Sequence, residues 1–323
     1  MTSEAFSSLP SQADADRLFE EQLAVWPETR QRYEELAHIR THDIRLEKTD
    51  FRLQFNPARI RSTGAKVDEH SIARRPCFLC SSNRPAEQLA LPCGPGFELL
   101  VNPFPIFPRH YTIVARRHMP QRIAPYVELL LALAERLTHC TVFYNGPASG
   151  ASAPDHLHFQ AGTKGLMPVE EGWKHSENQL LATRGTASLL LLNDRPRTTL
   201  VVRCSQRDDA CTLLSDTIAR LPLSPSDGEP RLNLLARSEP ADGGLTVFLF
   251  PRTRHRPTCY TAPEEEHRIL VSPGAADMGG LLILPREEDY LKLTPADAER
   301  IFADVSLPRQ ACLDSLSGLL SHP

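Results

Sequence analysis

Apolar and polar positions alternate in two distinct rhythms along this chain. Residues 12–40 place apolar side chains at helical spacing, and Pro27 splits the run, so two helices are expected there. Residues 49–55 alternate and predict a strand entering the turn NPARI. Further strands are predicted at 97–101 and 111–115, joined by the Pro-rich turn NPFPIFPRH. Residues 125–138 read as a helix with Pro at its start, where a missing N–H costs nothing. A strand at 141–144, a Gly/Ser/Pro loop and a strand at 157–161 follow. The second half partly echoes the first, with strands predicted at 188–193, 198–203, 231–236, 245–250, 268–271 and 280–284. Helices are expected at 206–220, 295–304 and 308–320. This order of elements predicts an α+β fold built on mixed or antiparallel sheets with packed helices. The segment NDRPR interrupts two apolar runs and marks a boundary near 195. The expected division is a tail and helical extension over 1–48, a first half over 49–195 and a second half over 196–323.

Length and charge narrow the field. A chain of 323 residues is one large domain or two. Lys and Arg number 36 against 40 Asp and Glu, a net charge of −4 that argues against nucleic acid or a membrane surface as partner. The first ten residues lack a basic start followed by an apolar run, and no apolar stretch is long enough to span a bilayer. Eight cysteines spread thinly over the chain do not form a disulfide scaffold. A reduced, cytoplasmic setting is expected, where the close pair Cys77 and Cys80 suggests metal or redox chemistry. Cys93, Cys140, Cys204, Cys211, Cys259 and Cys312, with Trp26 and Trp173, are expected to be core.

The segment YNGPASGASAPDHLHFQ carries the most chemistry. If residues 156–160 form a strand, alternation puts His156, His158 and Gln160 on one face and Leu157 and Phe159 on the other. Two imidazoles and an amide beside a loop rich in free backbone N–H groups can hold a phosphate and attack it. Neutral imidazole is a good nucleophile near pH 7, and an adjacent amide stabilises charge on a phosphate oxygen.

DHLHFQ resembles the His-x-His-x-Gln signature of the galactose-1-phosphate uridylyltransferase and diadenosine tetraphosphate phosphorylase (ATP adenylyltransferase) branch of the histidine-triad superfamily. NGPASGASAPD resembles the loop that precedes that signature. LVNPFPIFPRHYTIV, RLNLLAR, VFLFPR and SPGAADMGGLLIL resemble phosphorylase segments in the same order, over roughly residues 50–290. FNPARIRSTGAKVD and RPCFLCSSNRPAEQ are closer still to an uncharacterised bacterial subgroup. The resemblance implies two histidine-triad-like halves on one chain, the first catalytic. It implies that His158 attacks the α-phosphate of a dinucleoside polyphosphate or nucleotide sugar, forming a covalent nucleotidyl-histidine. Gln160 would hold a phosphate oxygen. A Gln where hydrolases carry a third His implies that phosphate or a sugar phosphate, rather than water, resolves the intermediate. A hydrolase would instead release product without such an acceptor, and a zinc-stabilised binding module would hold nucleotide without turnover. The resemblance leaves monomer and homodimer both open.

Cys77-Phe-Leu-Cys80 is half of a tetrahedral metal site, and a redox role would need a thioredoxin-like context that is missing. His118 and His156 are the candidate partners, matching the ligands of the uridylyltransferases, and a closed Cys₂His₂ zinc site would be structural. His110 is the rival third ligand, preferred as a supporting residue. Candidate phosphate and nucleotide contacts are Arg59, Lys66 and Arg84 beside turns, and Asn102, matching a ribose-contacting position. Asn145, Gly150 and Ser152 match the phosphate loop. Arg252 and His255 lie in the cluster PRTRHR, which Glu264–Glu266 can also neutralise. Ser272 and Gly274 can offer backbone N–H groups to phosphate or simply form a turn.

Overall fold

The fold is described from a computed structural model over residues 6–46, 48–64, 68–193, 196–225, 227–239, 244–263 and 267–319. Lys66, the 194–195 boundary and Glu264–Glu266 lie outside the described residues.

The first helix, Gln12–Val25, starts in a capping box between Ser11 and Asp14. Pro27 opens the second, Pro27–Leu36, so the predicted break is a clean restart. Thirteen strands follow among the described residues: β1 (Thr41–Arg45), β2 (Asp50–Phe55), β3 (Ala90–Pro92), β4 (Phe97–Val101), β5 (His110–Ala115), β6 (Cys140–Asn145) and β7 (His158–Thr163), then β8 (Asn178–Arg184), β9 (Ala187–Leu192), β10 (Leu200–Cys204), β11 (Leu232–Glu239), β12 (Gly244–Pro251) and β13 (Leu281–Leu284).

Ten of these strands make one antiparallel sheet in the order β3-β4-β5-β7-β6-β11-β12-β10-β9-β8. The order reads as one motif used twice. Three strands, a helix and two strands (β3–β5, Val127–Arg136, β6–β7) recur as β8–β10, Arg207–Arg220 and β11–β12. The two repeats meet where β6 pairs with β11, from Val142–Ala236 to Asn145–Asn233. Strands β8 and β9 therefore group with the second repeat, upstream of residue 195. The remaining strands form a small sheet, β1-β2-β13, with β13 parallel to β2.

Alternation along the strands fills two cores. On one face the sheet packs on the helices Gln12–Val25, Val127–Arg136 and Arg207–Arg220, burying Leu157, Phe159 and Tyr144. On the other it meets the small sheet and the helix Pro295–Val305, burying Phe143, Phe248, Phe250 and Phe302. Trp26 and Trp173 are buried, as are Cys93, Cys140, Cys204 and Cys312, while Cys211 and Cys259 are half-buried. No described helix is long and apolar enough to cross a membrane.

Two sequence expectations change. Residues 268–271 are irregular rather than a strand, with the Leu270 N–H donating to the Asp289 carboxylate and the Ile269 N–H to the Cys259 carbonyl. Strands β1, β3 and β8 add to those expected. They are short or lie at sheet edges, where burial leaves little alternation to read.

Candidate active site

Strand β7 begins at His158, one residue after Leu157 and two after a bend at His156. His158 and Gln160 share the face opposite Leu157 and Phe159, as alternation requires. The next position on that face, Gly162, has no Cβ, and the ring of Phe107 takes the space one would fill. The polar face of the strand therefore ends at Gln160.

His158 is buried. Its Nδ1 lies 2.8 Å from the backbone carbonyl oxygen of His156. A carbonyl only accepts, so Nδ1 carries the proton and Nε2 keeps a free lone pair. Burial holds the imidazole pKa down, to about 4, which keeps it neutral. A neutral imidazole with its far nitrogen tied to a carbonyl is a poised nucleophile.

Gln160 is oriented from behind. Its Oε1 accepts from His110 Nε2 at 2.9 Å and from Asn102 Nδ2 at 3.4 Å. His110 can donate there because its Nδ1 accepts from the Ile106 N–H. Burial holds His110 to a pKa of about 3, so its donor pattern is that of the neutral ring. With Oε1 engaged, the Gln160 Nε2 amide is the remaining donor beside His158. His110, weighed in the sequence as a rival metal ligand, is thus the residue that sets Gln160. Asn102, expected at a ribose, also donates to Thr112 and accepts from the Phe104 N–H.

His156 departs from the expected catalytic role. It lies before the strand, and both ring nitrogens are engaged: Nε2 donates to the Ala115 carbonyl at 2.7 Å, and Nδ1 faces Cys77 Sγ at 3.3 Å and Cys80 Sγ at 3.6 Å. It is the carbonyl of His156, not its ring, that serves His158. His118 Nδ1 lies 3.3 Å from Cys80 Sγ, and its Nε2 faces Asp155 at 3.5 Å. The ligand atoms of Cys77, Cys80, His118 and His156 all fall within 4.8 Å of one another, a cluster that can hold a metal ion. Zinc bonds of about 2.3 Å to sulfur and 2.0 Å to nitrogen put tetrahedral S and N roughly 3.5 Å apart, which matches these separations. The His156 tautomer also fits, since its Nδ1 lone pair is free toward the thiols.

The loop between β6 and β7 is braced by the second repeat. Asn145 Oδ1 accepts from Asn233 Nδ2 at 2.9 Å and from the Ala275 N–H at 2.7 Å, leaving Nδ2 as its remaining donor. Asn233 Nδ2 also donates to the Ser149 carbonyl. Gly150 has φ +92°, and a Cβ there would stand 2.7 Å from the Cα of Gly274, so only glycine fits this contact between loops. The Ser152 carbonyl accepts from Arg75. The Ser149 hydroxyl is buried with no hydrogen-bond partner among the described residues, which marks it as a group a ligand can satisfy. The sequence signalled it only through its place in the Gly/Ser loop.

The remaining expected phosphate contacts are divided. Arg252 is turned inward. Its Nε donates to Val305, Nη1 to Asn233 Oδ1 and Pro273, and Nη2 to Arg254 and His255. Those five acceptors use every guanidinium N–H, so Arg252 is a scaffold residue rather than a phosphate clamp. Arg84 is likewise paired, with Glu98 at 2.6 Å. Arg59 is buried, which holds its pKa down, and its charge is felt by the Asp277 carboxylate and by His110. His255 Nε2 is 3.3 Å from the Ser272 hydroxyl, which accepts from Arg256 Nε.

The fold is thus a duplicated antiparallel sheet with His158 and Gln160 on a central strand and His156 just before it. Residues 18–163 match the family described as "Domain of unknown function (DUF4922)", and residues 174–313 match "GDPGP1-like, C-terminal domain". Each of the two matches covers less than half of the chain, one toward each end. GDP-L-galactose phosphorylase 2 of Arabidopsis thaliana is 26% identical over 65% of this chain and 48% of its own length, so the chain spans about half of that relative. The crystal structure of yeast Ap4A phosphorylase superposes with a TM-score of 0.60 at 17% identity, covering 88% of this chain and 97% of that one. Its complex with Ap4A gives 0.55 at 17% identity over 87% and 97%. The Ap4A phosphorylase fold and this fold are the same.

Proposed function

We propose that this protein is a nucleotidyltransferase of the phosphorylase kind, acting on a nucleotide sugar through His158. The observation that carries the reading is the His158 tautomer: Nδ1–H held on the His156 carbonyl, Nε2 free, Gln160 Nε2 alongside. In the first step Nε2 attacks the α-phosphorus, and the bond from that phosphorus to the bridging oxygen breaks. The sugar 1-phosphate leaves with that electron pair. The imidazolium formed keeps its Nδ1–H on the His156 carbonyl, which spreads the new positive charge. Gln160 Nε2 donates to a nonbridging oxygen. In the second step an oxygen of inorganic phosphate attacks the same phosphorus, the P–N bond breaks, and a nucleoside diphosphate leaves.

The match to a GDP-L-galactose phosphorylase supports a GDP-hexose as donor and phosphate as acceptor; a dinucleoside polyphosphate is the other donor class. Asn102, Asn145, Ser149, Gly150 and Ser152 would line the phosphate path, with Arg59 beside them and His255 and Ser272 following the second repeat. Zinc is the ion proposed for Cys77, Cys80, His118 and His156. Bound there, it would act as a structural closure that fixes the His156 backbone. We also place the division between repeats in 164–177, and a cytoplasmic monomer or homodimer is the proposed form.

The test is intact-mass measurement after brief mixing, without phosphate, with GDP-mannose, GDP-glucose, UDP-glucose, ADP-glucose and diadenosine tetraphosphate. A gain of one nucleoside monophosphate, absent in His158→Ala, is expected with a GDP-sugar. Product release from every donor in the absence of phosphate, with no adduct, would instead make it a hydrolase.

A further inference from the structure

Strands β6 and β7 pair as far as Phe143–Gln160 and then stop, although the same register would next bring Tyr144 opposite Phe159 and then Asn145 opposite His158. Neither strand has ended. On its far side β6 still pairs with β11 through Asn145–Asn233, and β7 still pairs with β5 through Val114–His158. The sheet is therefore split from within, between two strands that stay anchored on their outer edges.

The side chain of Gln121 fills the split. It is 1% exposed. Its Nε2 donates to the Asn145 carbonyl at 2.9 Å and to the His158 carbonyl at 3.0 Å, and its Oε1 accepts from the His158 N–H at 2.8 Å. One amide thus takes both main-chain groups of His158 and the carbonyl of the residue that opens the loop. A direct rung would hold the two backbones about 4.8 Å apart; an interposed amide holds them wider. The segment that carries Gln121 is itself stitched to this region. The Ala115 carbonyl accepts from the His156 ring, the Met119 carbonyl from the Leu157 N–H, and the Gln121 N–H donates to the Pro154 carbonyl. His118 of the metal cluster lies three residues earlier.

We propose that Gln121 is a positioning residue, a side-chain spacer that replaces one rung of the sheet and fixes the backbone of His158 against the loop at Asn145. The inference rests on the reading of His158 as the nucleophile. Gln121 touches no substrate in this account; it acts through where it puts Nε2. A displacement of about 1 Å in an attacking atom can cost on the order of 100-fold.

The experiment compares the full chain with Gln121→Met and Gln121→Glu. It reads the rate of nucleotide attachment to His158 from GDP-hexose, the KM for that donor, and deuterium exchange at the His158 amide. Gln121→Met is expected to slow attachment roughly 100-fold with KM within about 3-fold of the parent, and to speed exchange of the His158 amide. Gln121→Glu keeps an acceptor for that amide but loses both donations, so protection should persist while the rate falls. A folded Gln121→Met with a rate within about 3-fold of the parent overturns the proposal, and so does a loss confined to KM. If Gln121→Met does not fold, the rate of Gln121→Glu decides by the same limits. Failure of the parent itself to acquire nucleotide on His158 would sink the nucleophile reading instead. The spacer would then be judged by exchange alone: unchanged protection in Gln121→Met overturns it, and lost protection upholds it.

Discussion

The inner strand pairs of the two repeats, β6–β7 and β11–β12, have the same place in the fold and opposite character. β11 and β12 pair without interruption from Leu232–Pro251 to Glu239–Gly244. On the face that carries His158 and Gln160 in the first repeat, β12 presents Phe248 and Phe250 to the core. At its end Arg252 spends all its donors on protein acceptors. In the first repeat the pairing breaks short of His158, an amide fills the break, and a loop over 146–157 joins the two strands. A complete ladder leaves no room for a ligand near the strands. Chemistry enters where a rung is given up and its groups are satisfied by a side chain.

The comparison breaks most sharply at His158. His158→Ala should lose at least on the order of 10⁴-fold in nucleotidyl transfer, measured as adduct formation and product release, because it removes the proposed nucleophile. Retained activity would mean that the reactive repeat has been misassigned. Arg252→Met probes the opposite repeat. It should reduce stability by about 3 kcal/mol, read as a lower urea midpoint, because Asn233 and four carbonyls lose donors in the interior. An unchanged midpoint would mean that the inward guanidinium holds nothing.

At the proposed zinc site, Cys80→Ser should lower the metal content and slow His158 attachment by roughly 10- to 100-fold, since the candidate ligand His156 itself supplies the carbonyl on Nδ1. Metal analysis beside the rate checks both halves of that statement. A further expected effect is on pH. His110 and His255 are each held to about 3 in the fold by burial, while an unfolded imidazole titrates near about 6.5. Their contribution to stability is complete above that unfolded value and is lost as pH falls from there toward 3. Between pH 7 and 5 each should cost about 2 kcal/mol, seen as a falling urea midpoint. His110→Ala should flatten its share of that slope.

Much of the site was legible because its chemistry is local in sequence. His158 and Gln160 are two residues apart on one strand, and Cys77 and Cys80 bracket a tight turn, so spacing alone pairs them. The second-repeat helix at 206–220 and the strands around Leu200, Leu232 and Leu281 were legible for a like reason, since their apolar positions recur at a fixed period. His156 was misplaced because alternation presumes a strand, and where a strand begins depends on partners distant in sequence. Arg252 was misread because a guanidinium in a basic cluster looks the same whether its acceptors are phosphates or carbonyls. Gln121 gave no signal at all. A glutamine is a spacer only once two strands arrive on either side of it.

The Asn145 carboxamide is held by Asn233 and Ala275, and Asn233 is held by Arg252. The copy of the motif without histidines therefore braces the copy that carries them. Its side chains hold a loop of the copy proposed to carry the chemistry. A cut between the repeats would remove one wall of the loop, so the first repeat is not a transferable unit. The duplicated chain has to be inherited, moved and engineered whole.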